Sequence, residues 1–449
     1  MSKIRILLGS ALLLSLAASL SALTRPRPLI AAPGEVVSST GSEVRLEARS
    51  SHAAVYEQGT ELFAELTVTL EGDSTRQEPI SLALVLDTSG SMSGSKMDDA
   101  RKAAHRLVEL LTDRDELALV SFGTDVVTAA RQRLNPESRL AFHAAIDALQ
   151  PAGSTNLSGG LEAGWKALQG AAGARRLMLV SDGQPTVGLL TELELASLVG
   201  RVHDEAITVT ALGVGADIDG ALMLHLAERG GGMYGYLKDA GSLEEILARE
   251  VSAARSAIAR NVELELETSN VRIAEIPGRH LEWKGQHTVL YLADLRPHTP
   301  TRVLVRLQSM KAHLGDRASL GALVTWRSLD GLPQSAHVTF SAAVVEDFDL
   351  VTASRDETVF SRGVNAVGSA QLVDAAQAWE RGELDRATAF LASARQVFGM
   401  SADALAGNAK VDEVQQGLRL SNGAQERREY ARGLQRKKLS DFGLENSGY

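Results

Sequence analysis

Three short segments of the chain carry side chains whose types and spacing suit the binding of a metal ion. In Leu82-Ala83-Leu84-Val85-Leu86-Asp87-Thr88-Ser89-Gly90-Ser91-Met92, a carboxylate leaves an apolar run and two hydroxyls follow at i+2 and i+4 around a glycine. Gly153-Ser154-Thr155-Asn156-Leu157 and Val180-Ser181-Asp182-Gly183 supply a further hydroxyl and a further carboxylate. Hard oxygen donors select Mg²⁺, Mn²⁺ or Ca²⁺ over zinc or copper, and Mg²⁺ takes six oxygens at about 2.0–2.1 Å while keeping some waters. Asp87 and Asp182 would balance the charge of the ion, Ser89, Ser91 and Thr155 would supply neutral ligands, and the remaining position would stay open to an outside oxygen. A Glu or Asp carboxylate of a protein partner fits that position.

Each segment alone has a plainer explanation. Asp87 and Ser89 suit a turn that caps a helix, Thr155 suits an N-cap, and Asp182-Gly183 suits a simple turn. The elements around them tip the balance toward the metal. Leu82 to Leu86, Leu117 to Phe122, Leu177 to Val180 and Ile207 to Leu212 are short apolar runs, and amphipathic stretches lie between them at Met97 to Leu111, Leu140 to Leu149, Leu157 to Leu168 and Glu192 to Val202. Strands apolar on both faces alternating with helices predict a parallel sheet covered on each side. Ligands of such sheets sit beyond the carboxyl ends of the strands, which is where the oxygen-bearing segments fall.

Outside this α/β unit the periodicity changes. Leu66, Val68 and Leu70 alternate with polar neighbours, as do Val262, Leu264 and Leu266 and, later, Val338, Phe340, Ala342 and Val344. Period two predicts half-buried antiparallel strands, and the two strand sets are expected to form one β-sandwich with the α/β unit inserted between them. Leu372, Ala376 and Trp379, then Leu384, Ala387, Leu391, Ala394 and Phe398, predict a helical hairpin, for which an ordinary antiparallel pair docked on the rest is preferred to a lone tetratricopeptide-type repeat. Arg427 to Lys438 reads as a solvated helix face. The expected organisation is an N-terminal signal or anchor (1–22), a Pro, Gly and Ser rich linker (23–43), sandwich strands (44–79), the α/β domain (80–257), the remaining sandwich strands (258–347) and a helical region (348–449).

Composition narrows the function. A net charge of −10 leaves no broad cationic surface for nucleic acid. The absence of cysteine excludes disulfides, thiolate nucleophiles and cysteine-ligated zinc, so any metal must sit on oxygen or imidazole. Lys3 and Arg5 precede an uncharged run from Ile6 to Leu23, the pattern of an export signal or, uncleaved, of a membrane anchor. The expected location is therefore periplasmic, in the cell envelope or extracellular, with membrane contact only through an uncleaved N-terminal segment.

The order Asp87-x-Ser89-x-Ser91, Thr155, Asp182-Gly183 resembles the metal-ion-dependent adhesion site of von Willebrand factor type A domains, and the wording LALVLDTSGSMSG and GSTNLSGGL is similar to bacterial members and to the heavy chains of inter-alpha-trypsin inhibitor. The resemblance covers about residues 80 to 257. It implies a Rossmann-like, doubly wound fold, with Ser89, Ser91 and Thr155 as direct ligands of Mg²⁺ and Asp87 and Asp182 binding directly or through water according to state. It also implies recognition of an acidic residue of the partner. The expected function is a divalent-metal-dependent protein-binding module, used in adhesion or envelope assembly, and not an enzyme.

Two other functions and a sugar-binding role fit the sequence less well. A metal-assisted hydrolase needs a positioned base, but the motif segments offer only the ligands, and His105, His143, His203 and His225 fall in helical stretches where surface or core roles are commoner. An accessory subunit of an ATPase complex conflicts with the export signal. A sugar site lacks a stacking platform, since the aromatic content is only 4% and is needed in the cores.

Overall fold

The computed structural model describes residues 36–438 except 42, 73–77, 216–217, 238–239 and 422. The expected signal or anchor and most of the expected linker lie outside the described residues. The chain opens with β1 (Val37–Gly41), β2 (Val44–Ser50), β3 (Ala54–Tyr56) and β4 (Glu61–Leu70). An α/β unit follows: β5 (Ile80–Asp87), α1 (Ser95–Leu110), β6 (Glu116–Phe122), β7 (Val126–Arg133), α2 (Pro136–Asp147), α3 (Leu157–Leu168), β8 (Ala174–Ser181), α4 (Glu192–Asp204), β9 (Thr208–Val214), α5 (Gly220–Arg229), β10 (Gly231–Leu237) and α6 (Ala240–Ser256).

These strands form one six-stranded sheet in the order β10-β9-β8-β5-β6-β7. All neighbours are parallel except β6 and β7. Every residue of β5 is buried, because alternate side chains enter different cores. Leu82, Leu84 and Leu86 pack with Met97, Phe142 and Val251 of α1, α2 and α6. Ala83 and Val85 pack with Leu161, Leu198 and Met223 of α3, α4 and α5. The chain leaves β5 toward β6 and later returns to its other side as β8, so the winding reverses between β5 and β8. That reversal opens the crevice in which open α/β sheets bind ligands.

The sequence reading missed two edge strands. Antiparallel β7 carries exposed charged and polar residues and no apolar run, while Gly231, Gly232 and Gly235 interrupt any apolar run in β10 (Gly231–Leu237). The expected linker also needs correction at its end, since Val37 to Gly41 pairs antiparallel with Val44 to Ala48. Val37 packs against the sandwich core, and Ser38 and Thr40 face outward from an edge strand.

After α6 come β11 (Arg260–Ser269), β12 (Val271–Glu275), β13 (Glu282–Lys284), β14 (His287–Leu292), β15 (Thr301–Ser309), β16 (Arg317–Arg327) and β17 (Pro333–Val345). Strands from both sides of the α/β unit share two sheets, β1-β2-β4-β15-β12 and β13-β14-β11-β16-β17-β3. β4 pairs antiparallel with β15, Leu66 opposite Val303, and β3 runs parallel to β17. One core joins Leu46, Leu66 and Val68 to Leu264, Val305, Leu320 and Phe340.

The chain ends in α7 (Phe348–Ala353), α8 (Glu357–Glu380), α9 (Leu384–Phe398), α10 (Ala404–Leu420) and α11 (Ala424–Lys438). The four longer helices share a core that also takes in Phe63 of β4, so the helical region docks on the sandwich. The Phe63 ring meets Phe360 edge-on at 5.5 Å, and α8 approaches so closely at Gly363 that a Cβ there would stand 2.2 Å from the Phe63 ring. Beside them Arg362 holds both oxygens of the buried Glu65 at 2.9 Å. Two sequence expectations change here. Leu384, assigned to the packed face of α9, is half exposed as its first residue, and α11, read as solvated, buries Ala431 and Leu434.

Phe63→Ala is expected to cost about 3–5 kcal/mol, the scale for emptying a buried aromatic site; urea unfolding should show the loss, with the helical region melting early. His52, 5% exposed beside Phe360, has its pKa lowered to about 4 by burial and then by Arg355. The unfolded chain binds this proton near pH 6.5 and the folded chain does not. Stability therefore falls as pH drops from 6.5 to 4, by an amount on the order of 3 kcal/mol. Unfolding of His52→Gln measured at both pH values should show a shallower slope.

Candidate metal site

Asp87 is the last residue of β5, and burial of its neighbours on both sheet faces leaves its carboxylate nowhere to go but the end of the strand. Its Oδ1 accepts the Ser89 backbone N–H at 2.8 Å, and its Oδ2 accepts the Ser181 hydroxyl at 2.6 Å. The chain then turns through one 3₁₀ turn (Gly90–Met92) before α1. That turn sets the Ser89 and Ser91 hydroxyls 2.9 Å apart, with Ser89 buried and Ser91 open to solvent.

The loop that carries Thr155 is tied to the same turn through backbone bonds. Gly90 N–H donates to Gly153 O at 3.1 Å, and Ala152 N–H donates to Thr88 O at 2.8 Å. Gly153 has φ +76°, and a Cβ there would stand 2.2 Å from Thr124 Oγ1, so the loop requires glycine at this position. The loop following β8 closes on it from the other side: Thr155 N–H donates to Thr186 Oγ1 at 2.8 Å, and Thr186 N–H donates to Thr155 O at 3.0 Å. Thr155 is 3% exposed and Asp182 2%.

The electrostatics are those of two carboxylates in a dry place. Burial pushes the Asp87 carboxyl up, the bonds from Ser181 and Ser89 pull it down, and the nearby Asp182 carboxylate pushes it up again. Asp182 Oδ2 takes an ion pair from Lys96 Nζ at 3.2 Å. Its Oδ1 is buried with no hydrogen-bond partner. A buried carboxylate oxygen without a partner is costly, and a cation is the species that would satisfy it. The donor set, carboxylates and hydroxyls without sulfur or imidazole, suits a hard divalent ion. On both counts the residues fit a metal of the Mg²⁺ class.

The structure therefore gathers Asp87, Ser89 and Ser91 by direct bonds, brings Asp182 within electrostatic reach of Asp87, and ties the Thr155 segment to both loops by its backbone. Sequence reasoning missed Ser181, Lys96 and Thr186 as parts of the site. Ser181 was visible as the residue next to Asp182, but its bond to Asp87 depends on β5 and β8 being neighbours. The helical histidines have structural partners: His203 is buried with Nδ1 on Gly230 O at 3.1 Å, and His105 and His143 stack at 4.9 Å.

A doubly wound sheet with oxygen-bearing loops at its topological switch point defines a class of ligand-binding α/β domain. Within that class, residues 80–236 match the family model described as the von Willebrand factor type A domain. Over 200 residues the chain is 28% identical to YfbK of Escherichia coli (strain K12), an alignment covering 43% of this chain and 35% of the relative. It is 29% identical over 170 residues to human inter-alpha-trypsin inhibitor heavy chain H4, covering 34% of this chain and 18% of the relative. The chain thus spans about a third or less of the length of these curated relatives. Among solved structures, a von Willebrand factor type A protein from Catenulispora acidiphila superposes with a TM-score of 0.63 at 18% identity, covering 85% of this chain and 90% of that one. The ArnB paralog VWA2 from Sulfolobus acidocaldarius gives 0.58 at 15% identity, covering 88% and 98%. Residues 80–236 thus match a von Willebrand factor type A domain, and the likeness in fold to these two structures extends well beyond that segment. Domains of this family are protein-interaction modules that commonly use a metal ion.

Ser181→Ala removes the hydroxyl that bonds both Asp87 Oδ2 and, at 2.9 Å, the Gly183 N–H. It is expected to destabilise the metal-free protein by about 1–3 kcal/mol, the scale for leaving a buried polar group without its partner, as read by chemical denaturation in EDTA.

Proposed function

We propose that this chain is an exported, divalent-metal-dependent protein-binding module, acting in adhesion or envelope assembly, that captures a Glu or Asp side chain of a partner through Mg²⁺ held by Asp87, Ser89, Ser91, Thr155 and Asp182. Mn²⁺ and Ca²⁺ satisfy the same donor chemistry. The reading takes residues 80–257 as the type A domain, 44–79 and 258–347 as its sandwich seat, and 348–449 as the helical region. The export signal in the first 22 residues supplies the location, in the periplasm, the envelope or outside the cell. None of the described helices is long and apolar enough to cross a membrane.

The observation that carries the proposal is Asp182, a buried carboxylate with one oxygen unpartnered and the other held by Lys96. In the metal-free protein the Lys96 ammonium compensates this carboxylate. A divalent ion held by these residues would supply the concentrated positive charge that attracts an acidic ligand. The chain's own residues do the rest. Ser181 and the Ser89 N–H hold Asp87 at the strand end, and the Ser89 and Ser91 hydroxyls are placed side by side by the turn. Neutral hydroxyls as the nearest donors leave the ion more of its charge for the partner's carboxylate. Ser91, on the exposed side, marks the approach for that partner.

The test is capture of partners from envelope extract by the full chain in Mg²⁺ and in EDTA. Capture should fall by roughly tenfold or more in EDTA and equally in Asp182→Ala, the scale on which disturbing a metal site acts. Capture that persists unchanged under both conditions removes the metal from the mechanism.

A further inference from the structure

A second cluster of ligating side chains lies at the seam between the α/β domain and the sandwich. Glu192 is the first residue of α4, His225 lies in α5, and His280 precedes β13 in the sandwich. One ligand atom from each of the three lies within 4.8 Å of the others. The two imidazoles stack with centroids 4.3 Å apart and planes 17° from parallel. Glu192 Oε1 stands 2.5 Å from His225 Nδ1, and Glu282 Oε1 stands 3.8 Å from His225 Nε2. Glu228 Oε2 lies 2.6 Å from His280 Nδ1, while its other carboxylate oxygen is buried without a partner. Arg229 is engaged by Glu282 at 3.0 Å and by the face of Tyr291 at 4.0 Å, and Arg279 lines the same cleft.

We propose that Glu192, His225 and His280 form a zinc site, separate from the oxygen-lined site at the strand ends, that clamps the α/β domain to the sandwich. Two imidazoles and one carboxylate are the donor set of zinc and its transition-metal neighbours, whereas Mg²⁺ prefers oxygen alone. Glu228 holds His280 by Nδ1, which leaves Nε2 to face an ion. A carboxylate behind a ligating imidazole is the usual arrangement that orients such a ligand and raises its basicity. Tetrahedral ligands about 2.0–2.1 Å from zinc stand roughly 3.3 Å from one another, so the wider separations in the cluster must shorten while the 2.5 Å contact of Glu192 with His225 opens. The Glu192 and His280 side chains are about half exposed and can turn inward to do so. Without metal the same residues make His–carboxylate contacts across the seam. Zinc would join α4, α5 and the loop before β13 through Glu192, His225 and His280, with Glu228 still held on His280 Nδ1.

The full chain, stripped with chelator and then saturated with Mg²⁺ to fill the other site, is titrated with Zn²⁺ by calorimetry and with Co²⁺ by visible absorption. One equivalent of Zn²⁺ should bind, Co²⁺ should give a ligand-field band, and zinc should raise the melting temperature. His225→Ala and His280→Ala should each weaken Zn²⁺ binding by about a hundredfold or more, and Glu228→Gln by about 10–100-fold. His280 is exposed enough for its replacement to leave folding intact. Ser89→Ala should bind Zn²⁺ as the parent does. Absence of saturable binding, binding unchanged in His280→Ala, or binding lost in Ser89→Ala would each overturn the assignment.

Discussion

Two carboxylates buried at neighbouring strand ends are the constraint around which the rest of this protein is arranged. Asp87 and Asp182 are almost fully shielded from water, and charge in such a place must be compensated by hydrogen bonds or by a cation. The chain meets the demand on Asp87 with Ser181 and the Ser89 N–H, and on one oxygen of Asp182 with Lys96. It leaves the other Asp182 oxygen unmet. A fold under selection for stability alone gains little from placing two like charges together. Their cost is understandable if a divalent ion is the intended counter-charge.

The doubly wound sheet makes this placement possible. Only at the reversal between β5 and β8 do two parallel strands end side by side with helices departing to opposite faces, leaving a crevice for polar loops. The sandwich then fixes the frame. Arg176 of β8 pairs with Asp294 at 2.6 Å, both largely buried, and Arg260 of β11 meets Glu78 just before β5 at 3.2 Å. These pairs join the two units at the end of the sheet opposite the metal loops. From the other direction, Arg432 of α11 donates to Gly215 O and Ile218 O at 3.4 and 3.3 Å. Gly215 lies against the Lys96 side chain, so the helical region touches the rim of the site as well as the sandwich.

Much of this was legible because apolar periodicity reports burial directly. The apolar runs of β5, β8 and β9 marked buried central strands, and alternation in β4, β11 and β17 marked half-buried ones. Failures came where burial and periodicity part company. β7 is an edge strand with a polar face to solvent, β10 is broken by glycines, and Val37 to Gly41 looked like linker because an edge strand needs few apolar residues. Leu384 and α11 were misjudged because which helix face packs depends on neighbours far along the chain.

The same division runs through the candidate sites. The sequence by itself determined the chemistry available: oxygen donors in three segments, no cysteine, glycines where turns must be tight, and an apolar pattern that sends the donor segments to strand ends. Those are local properties, set by side-chain type and by the few residues on either side. Tertiary structure alone decided which donors meet. Ser181 reaches Asp87 because β8 lies beside β5, Lys96 reaches Asp182 because α1 crosses behind the loop, and His225 reaches His280 because a sandwich strand folds back onto α5. Contacts between residues tens of positions apart depend on how whole elements bury their apolar faces against one another, and no short window of sequence contains that information.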